Sequence, residues 1–109
     1  MWLCFNNGFV SAVQDRNNPD RFVVRARRRE HLEDNFPGYE IVVGGSTDYY
    51  YRIFINKKEF NEIVSKKIMD VDYDNFKNSV EDDDLHDLYA RFWTLHYKFQ
   101  EYPLQKMYY

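Results

Sequence analysis

Five side chains in two β-favouring runs carry the strongest chemical signal in this sequence: Arg25, Arg27, Tyr50, Arg52 and Phe54. If Phe22 to Arg27 and Tyr49 to Ile55 are strands of one sheet, the period of two puts all five on one face. Phe22, Val24 and Ala26 then share the other face with Tyr51, Ile53 and Ile55. Guanidinium groups beside rings suit single-stranded nucleic acid, because unpaired bases stack and phosphates pair. The competing arrangement covers this face with the last helix or the N-terminal hairpin and pairs the arginines with Asp and Glu at its rim. The covered arrangement is favoured, since a long amphipathic helix is available and no RNA-recognition signature appears.

A second constellation lies late in the chain. His86, Tyr89 (or Ala90) and Trp93 recur at helical spacing, just after the acidic run Glu81 to Asp84. A histidine beside carboxylates could transfer protons. The simpler reading is a capped helix start, whose acidic residues complement the helix dipole. A third is Asp72-Tyr73-Asp74-Asn75-Phe76-Lys77, where two carboxylates could hold a divalent ion. The spacing lacks the later ligand positions of a calcium loop, so an inter-helix turn capped by Asp is preferred.

Other chemistries find no support. One cysteine and three scattered histidines give no zinc spacing. Gly44-Gly45 has no Lys-Ser/Thr after it to cradle phosphate. Cys4 has no basic neighbour to activate it, so packing is its expected role. No cofactor, no metal and no catalytic set are expected.

The elements that must position these residues follow from composition and pattern. A chain of 109 residues fits one domain. It can bury roughly two-thirds of its unfolded surface. Ten Tyr, nine Phe and two Trp argue against disorder despite 30% charged residues. The net charge of −3 is too small for a strongly cationic nucleic-acid binder, although Arg25 to Arg29 is basic and the later run acidic. With one cysteine, no signal-like start and no long apolar run, a cytoplasmic protein is expected, without membrane contact.

Along the chain, residues 2–5 and 9–14 flank Asn6-Asn7-Gly8, a hairpin signal through the positive φ that Asn-Gly supplies. Residues 15–20 contain only turn formers and read as a loop. Residues 22–27 form a third strand, and 29–35 a short helix with Leu32 and Phe36 inward, stopped by Pro37-Gly38. Strands at 39–43 and 49–55 bracket a flexible loop, 44–48. Asn56 to Glu59 reads as a capping box opening a helix to Met69, with Phe60, Ile63, Val64 and Ile68 inward. A short helix over 74–80 precedes the last, 84–100, with Leu85, Leu88, Phe92, Leu95 and Phe99 as its apolar stripe. The result is a single α+β domain over 1–100, an N-terminal hairpin joined to a ferredoxin-like sheet of about five strands with helices packed on it. An aromatic tail, 101–109, either stays loose or docks on the body or a second copy.

Several ordered segments resemble a family of short uncharacterised bacterial and phage proteins. They are Met1-Trp2-Leu3 with Gly8-Phe9, Asn18-Pro19-Asp20 leading into Val24-Arg25-Ala26-Arg27, Tyr49-Tyr50-Tyr51-Arg52, Asp72 to Lys77, and His86 with Tyr89 and Trp93. The likeness covers about residues 1–95 and excludes the tail. It implies a compact protein on mobile DNA and adds Tyr73, Asn75, Lys77, His86 and Trp93 to the residues of interest. The expected function is non-enzymatic: binding another protein, as a phage-encoded inhibitor of host defence or an accessory factor in host cytoplasm. Surplus Tyr, Trp and Arg is the composition of interface anchors. The alternative is a single-stranded nucleic-acid binder on the basic, aromatic face. Self-association as a homodimer fits either.

Overall fold

The computed structural model describes residues 1–45 and 48–106. The chain divides into two compact units, Met1–Tyr73 and Asp74–Tyr109. The first holds β1 (Trp2–Phe5), β2 (Gly8–Asp15), β3 (Asn18–Ala26), α1 (Arg29–Asn35), β4 (Val42–Val43), β5 (Tyr51–Asn56) and α2 (Lys57–Met69). Its sheet has the order β1-β2-β3-β5-β4, and every neighbouring pair is antiparallel. The architecture is α+β, as expected.

The first hairpin forms where expected, for a different reason. Phe5 pairs with Gly8, so the two-residue turn is Asn6-Asn7, and neither has a positive φ. Gly8 is required by close approach. A Cβ there would lie 2.7 Å from Asn35 Nδ2 and 3.1 Å from His31 Cβ. The second hairpin is tighter than the loop expected over 15–20. Asp15 Oδ1 accepts the Asn17 N–H at 2.9 Å, and β3 already begins at Asn18. Between Gln14–Phe22 and Asp15–Asn18 the register shifts, so residues 19–21 bow away from β2. That bulge accommodates Pro19, which has no N–H for a ladder.

Strands β3 and β4 are parallel with β5 between them, and α1 makes the crossover. This is the split β-α-β half of a ferredoxin-like sheet. After α2 no further strand follows among the described residues, and β2 occupies the place beside β3. Strand β4 is two residues, not the five expected: only Val42 and Val43 pair with β5, and Tyr39 and Ile41 before them pack against the core. The core is Val10, Ala12, Val24, Ala26, Leu32, Phe36, Ile53, Ile55 and Phe60. Phe36 stacks on Phe60 at 5.8 Å, and Phe22 meets Phe60 edge-on at 5.0 Å. Asn56 caps α2 by accepting the Lys58 N–H at 2.8 Å. Glu59, expected to reach back to that cap, accepts the Tyr39 hydroxyl. Phe60 is buried, Ile63 and Val64 half-buried, and Ile68 exposed, a departure from the expected stripe.

In the second unit the helix expected over 74–80 is only a 3-10 turn, Lys77–Ser79. Asn75 Oδ1 takes the Asn78 N–H at 3.0 Å and Ser79 Oγ donates to the Phe76 carbonyl, local bonds that compete with helix propagation. The last helix, α3, runs from Asp83 to Lys106, so the boundary expected at residue 100 falls inside it. Asp82 Oδ1 accepts the Leu85 N–H at 2.9 Å and Asp83 and Asp84 occupy the first turn, a favourable end for the dipole. Leu85 and Tyr89 are buried, with Phe76 against Tyr89 at 4.9 Å. From Trp93 to Gln100 every residue is exposed, including Leu95 and Phe99, which the pattern places inward. The tail tyrosines Tyr108 and Tyr109 lie outside the described residues. No helix among the described residues is long and apolar enough to cross a membrane.

Candidate functional site

The register brings Ser11, Arg25 and Arg52 side by side across β2, β3 and β5. Two arginines directly opposite would repel. The fold separates their duties. Arg25 Nη2 donates to Ser11 Oγ at 2.9 Å, and its guanidinium lies 4.6 Å from the centre of the Tyr49 ring. Arg52 Nη2 turns the other way and donates to the carbonyls of Gly44 and Tyr49, both at 3.1 Å. Arg27 lies over the same Tyr49 ring at 4.2 Å and forks onto Asp48 with bonds of 2.8 and 2.9 Å. That fork holds the Asp48 carboxyl below its ordinary range, chiefly through the hydrogen bond from Arg27. The covered arrangement expects such rim pairing, but the N-terminal hairpin does not cover this face: β1 and β2 extend the same sheet beside β3.

Tyr49 is the residue that sequence reading missed. Alternation within a strand from 49 to 55 puts it on the core side, with Tyr51. The strand starts only at Tyr51, and the preceding bend, tied by Gly44 N–H to the Tyr50 carbonyl at 2.8 Å, turns Tyr49 onto the arginines. Tyr49 and Ser11 are buried, so the middle of this face is not open. Exposed rings on this face include Trp2, opposite Ser11 and 67% accessible, and Phe54, 39%; Tyr50, 54% accessible, precedes β5 with its ring edge-on to Tyr51. Arg21 lies 4.8 Å over Phe54 and pairs with the buried Asp15.

The other candidates are dispersed. Tyr73 lines a cleft in the first unit, beside the β1–β2 turn. Asn75 accepts the Asn78 N–H in the 3-10 turn. The ring of half-buried His86 makes no hydrogen bond to the acidic run among the described residues, where the Asp82 carboxylate serves the helix cap. No group of three acidic, His or Cys side chains could hold a metal among the described residues.

Trp93 belongs to a different arrangement. It stacks on Tyr97 at 5.5 Å and 11°, and Lys77 Nζ lies 5.4 Å from its ring. On the opposite side of the helix Leu95, Phe99 and Tyr102 follow one another at steps of four and three, with accessibilities of 61, 80 and 55%. Thr94, Lys98 and Glu101 make the polar arc. Compared with protein-family models, curated proteins and solved structures, the chain matches none.

Proposed function

We propose that this chain is a non-enzymatic interaction module that docks on another protein through the second half of α3. The exposed line Leu95, Phe99 and Tyr102 on one face of the helix carries this reading. Rings of this size carry roughly 150–250 Å² each. Leu95, Phe99 and Tyr102 together therefore expose roughly 300–400 Å² on one face, the size of the largest patch on an ordinary monomer. Anchors at i, i+4 and i+7 on a helix are the pattern that fits an apolar groove. Aromatic residues are enriched at interfaces, and Tyr is among those in which binding energy concentrates. A mobile-element inhibitor or accessory factor gripping a host protein is of this class.

Gel filtration of extract from the producing cell tests it. The wild-type chain should elute in a complex of defined size, and Leu95→Glu/Phe99→Glu at its own 13.4 kDa. Elution of both at 13.4 kDa contradicts the reading.

A second reading, single-stranded nucleic-acid binding, draws on the exposed rings of Tyr50 and Phe54 and on Arg25 and Arg52. The guanidiniums are already engaged internally, which weighs against it. Binding to an oligonucleotide that falls steeply with salt, and weakens in Arg25→Ala/Arg52→Ala, would favour it.

A further inference from the structure

The first unit has a cleft of about 360 Å³ between the β1–β2 turn and the C-terminal end of α2. Its walls are apolar, from Leu3 and Phe5 on one side to Val64 and Ile68 on the other. Its donors are the side-chain amides of Asn6 and Asn7 and the ammonium of Lys67, and Asp70, Asp72 and Tyr73 complete the polar lining. Lys67 Nζ donates to Asn35 Oδ1 at 2.6 Å and lies 4.9 Å from the centre of the Phe5 ring. Among the described residues it has no carboxylate within ion-pair distance. Asp70, the acid nearest in sequence, is engaged by Lys66 at 2.5 Å. Asp72 lies at the rim, exposed, where water screens it.

We propose that this cleft binds a small apolar carboxylate, its hydrocarbon part against Phe5, Val64 and Ile68 and its oxygens on Lys67 and the turn amides. A half-buried ammonium held by one amide and one ring face keeps donor capacity for an anion. Burial already pulls the Lys67 ammonium below its ordinary pKa, so a carboxylate there would recover lost charge stabilisation. The volume is at the small end for ligand sites, which suits a single ring or a short chain. The site lies wholly in the first unit and is independent of docking through α3.

The test is a nuclear magnetic resonance titration of the full chain with 3-phenylpropanoate and, separately, with 3-phenylpropan-1-ol. The acid should give saturable shifts at the Asn6 and Asn7 side-chain amides, and the alcohol should bind about tenfold more weakly, the worth of one charge-assisted bond. Lys67→Met should bring the acid to the level of the alcohol, and Lys67→Arg should retain the preference. Equal affinity for acid and alcohol in the wild-type chain, or no saturable shift from either, overturns the proposal even if the variants fail to fold.

Discussion

Lys67 Nζ donates to Asn35 Oδ1 at 2.6 Å, tying the last turns of α2 to the end of α1. Asn35 is 2% exposed and passes the connection on, its Nδ2 donating to the His31 carbonyl at 2.9 Å. His31 Nδ1 in turn accepts the Phe9 N–H at 3.3 Å, so that nitrogen carries no proton. Four residues from two helices and a strand thus share one polar seam beside the apolar core. Asn35→Leu should cost about 1–3 kcal/mol, since it leaves the Lys67 ammonium without its amide partner. Urea unfolding measures it, and an unchanged midpoint would exclude the seam from the stability of the fold.

Gly8→Ala tests the same seam sterically. The added methyl would meet Asn35 Nδ2 at 2.7 Å and the His31 backbone Cα at 3.2 Å. Overpacking of this kind should destabilise by about 1–3 kcal/mol. Gly38→Ala also costs stability through its φ of +89°, but with nothing near its Cβ it should leave the His31 and Asn35 resonances in place.

The Tyr39 hydroxyl donates to Glu59, and this bond, with burial and the negative charge around it, pushes the phenol up to about 12. A raised pKa stabilises the fold below the unfolded value of 10.0 and loses that contribution as pH rises to about 12. Lys67, with a lowered pKa, works in the opposite direction over the alkaline range. The difference between wild type and Tyr39→Phe isolates the phenol. That difference should be constant below pH 10 and shrink towards pH 12.

Asp15 gives the acid counterpart. Its carboxylate accepts the Asn17 N–H and pairs with Arg21, and these bonds, the backbone one first, hold its pKa down. Stability from Asp15 is therefore present above the unfolded value of 3.8 and disappears as pH falls through the lower folded value. Asp15→Asn should be less stable than wild type at neutral pH, and the two should converge in strong acid.

Much of this fold is legible in residue pattern, and the misses have physical causes. Alternation at Phe22 to Ala26 and Ile53 to Ile55 selects the core face because one side of the sheet is buried by α1 and α2. Turn formers at 15–20 hide a strand start, because Asp15 and Asn17 close a hairpin with only two residues between its strands. Tyr49 is misplaced because a bend shifts the parity of the alternation before β5 begins. Along α3 the three- and four-residue spacing is read correctly as one line of a helix. Spacing alone does not tell whether that line meets a core, and at Leu95 and Phe99 it does not.

That distinction is measurable as stability. Leu85, 4% exposed, should cost about 2–5 kcal/mol when cut to Ala. Phe99, 80% exposed, should tolerate Glu within about 0.5 kcal/mol. A large loss for Phe99→Glu would mean that the ring contributes to the fold and is not free for a partner.

The docking role of α3 is tested most directly by scanning a photo-crosslinking amino acid through positions 94, 95, 98, 99, 101 and 102 in the producing cell. Adducts of one defined mass should form at 95, 99 and 102 and stay low at 94, 98 and 101, following the helical period. Equal yields around the helix, or no discrete adduct at any position, would contradict it.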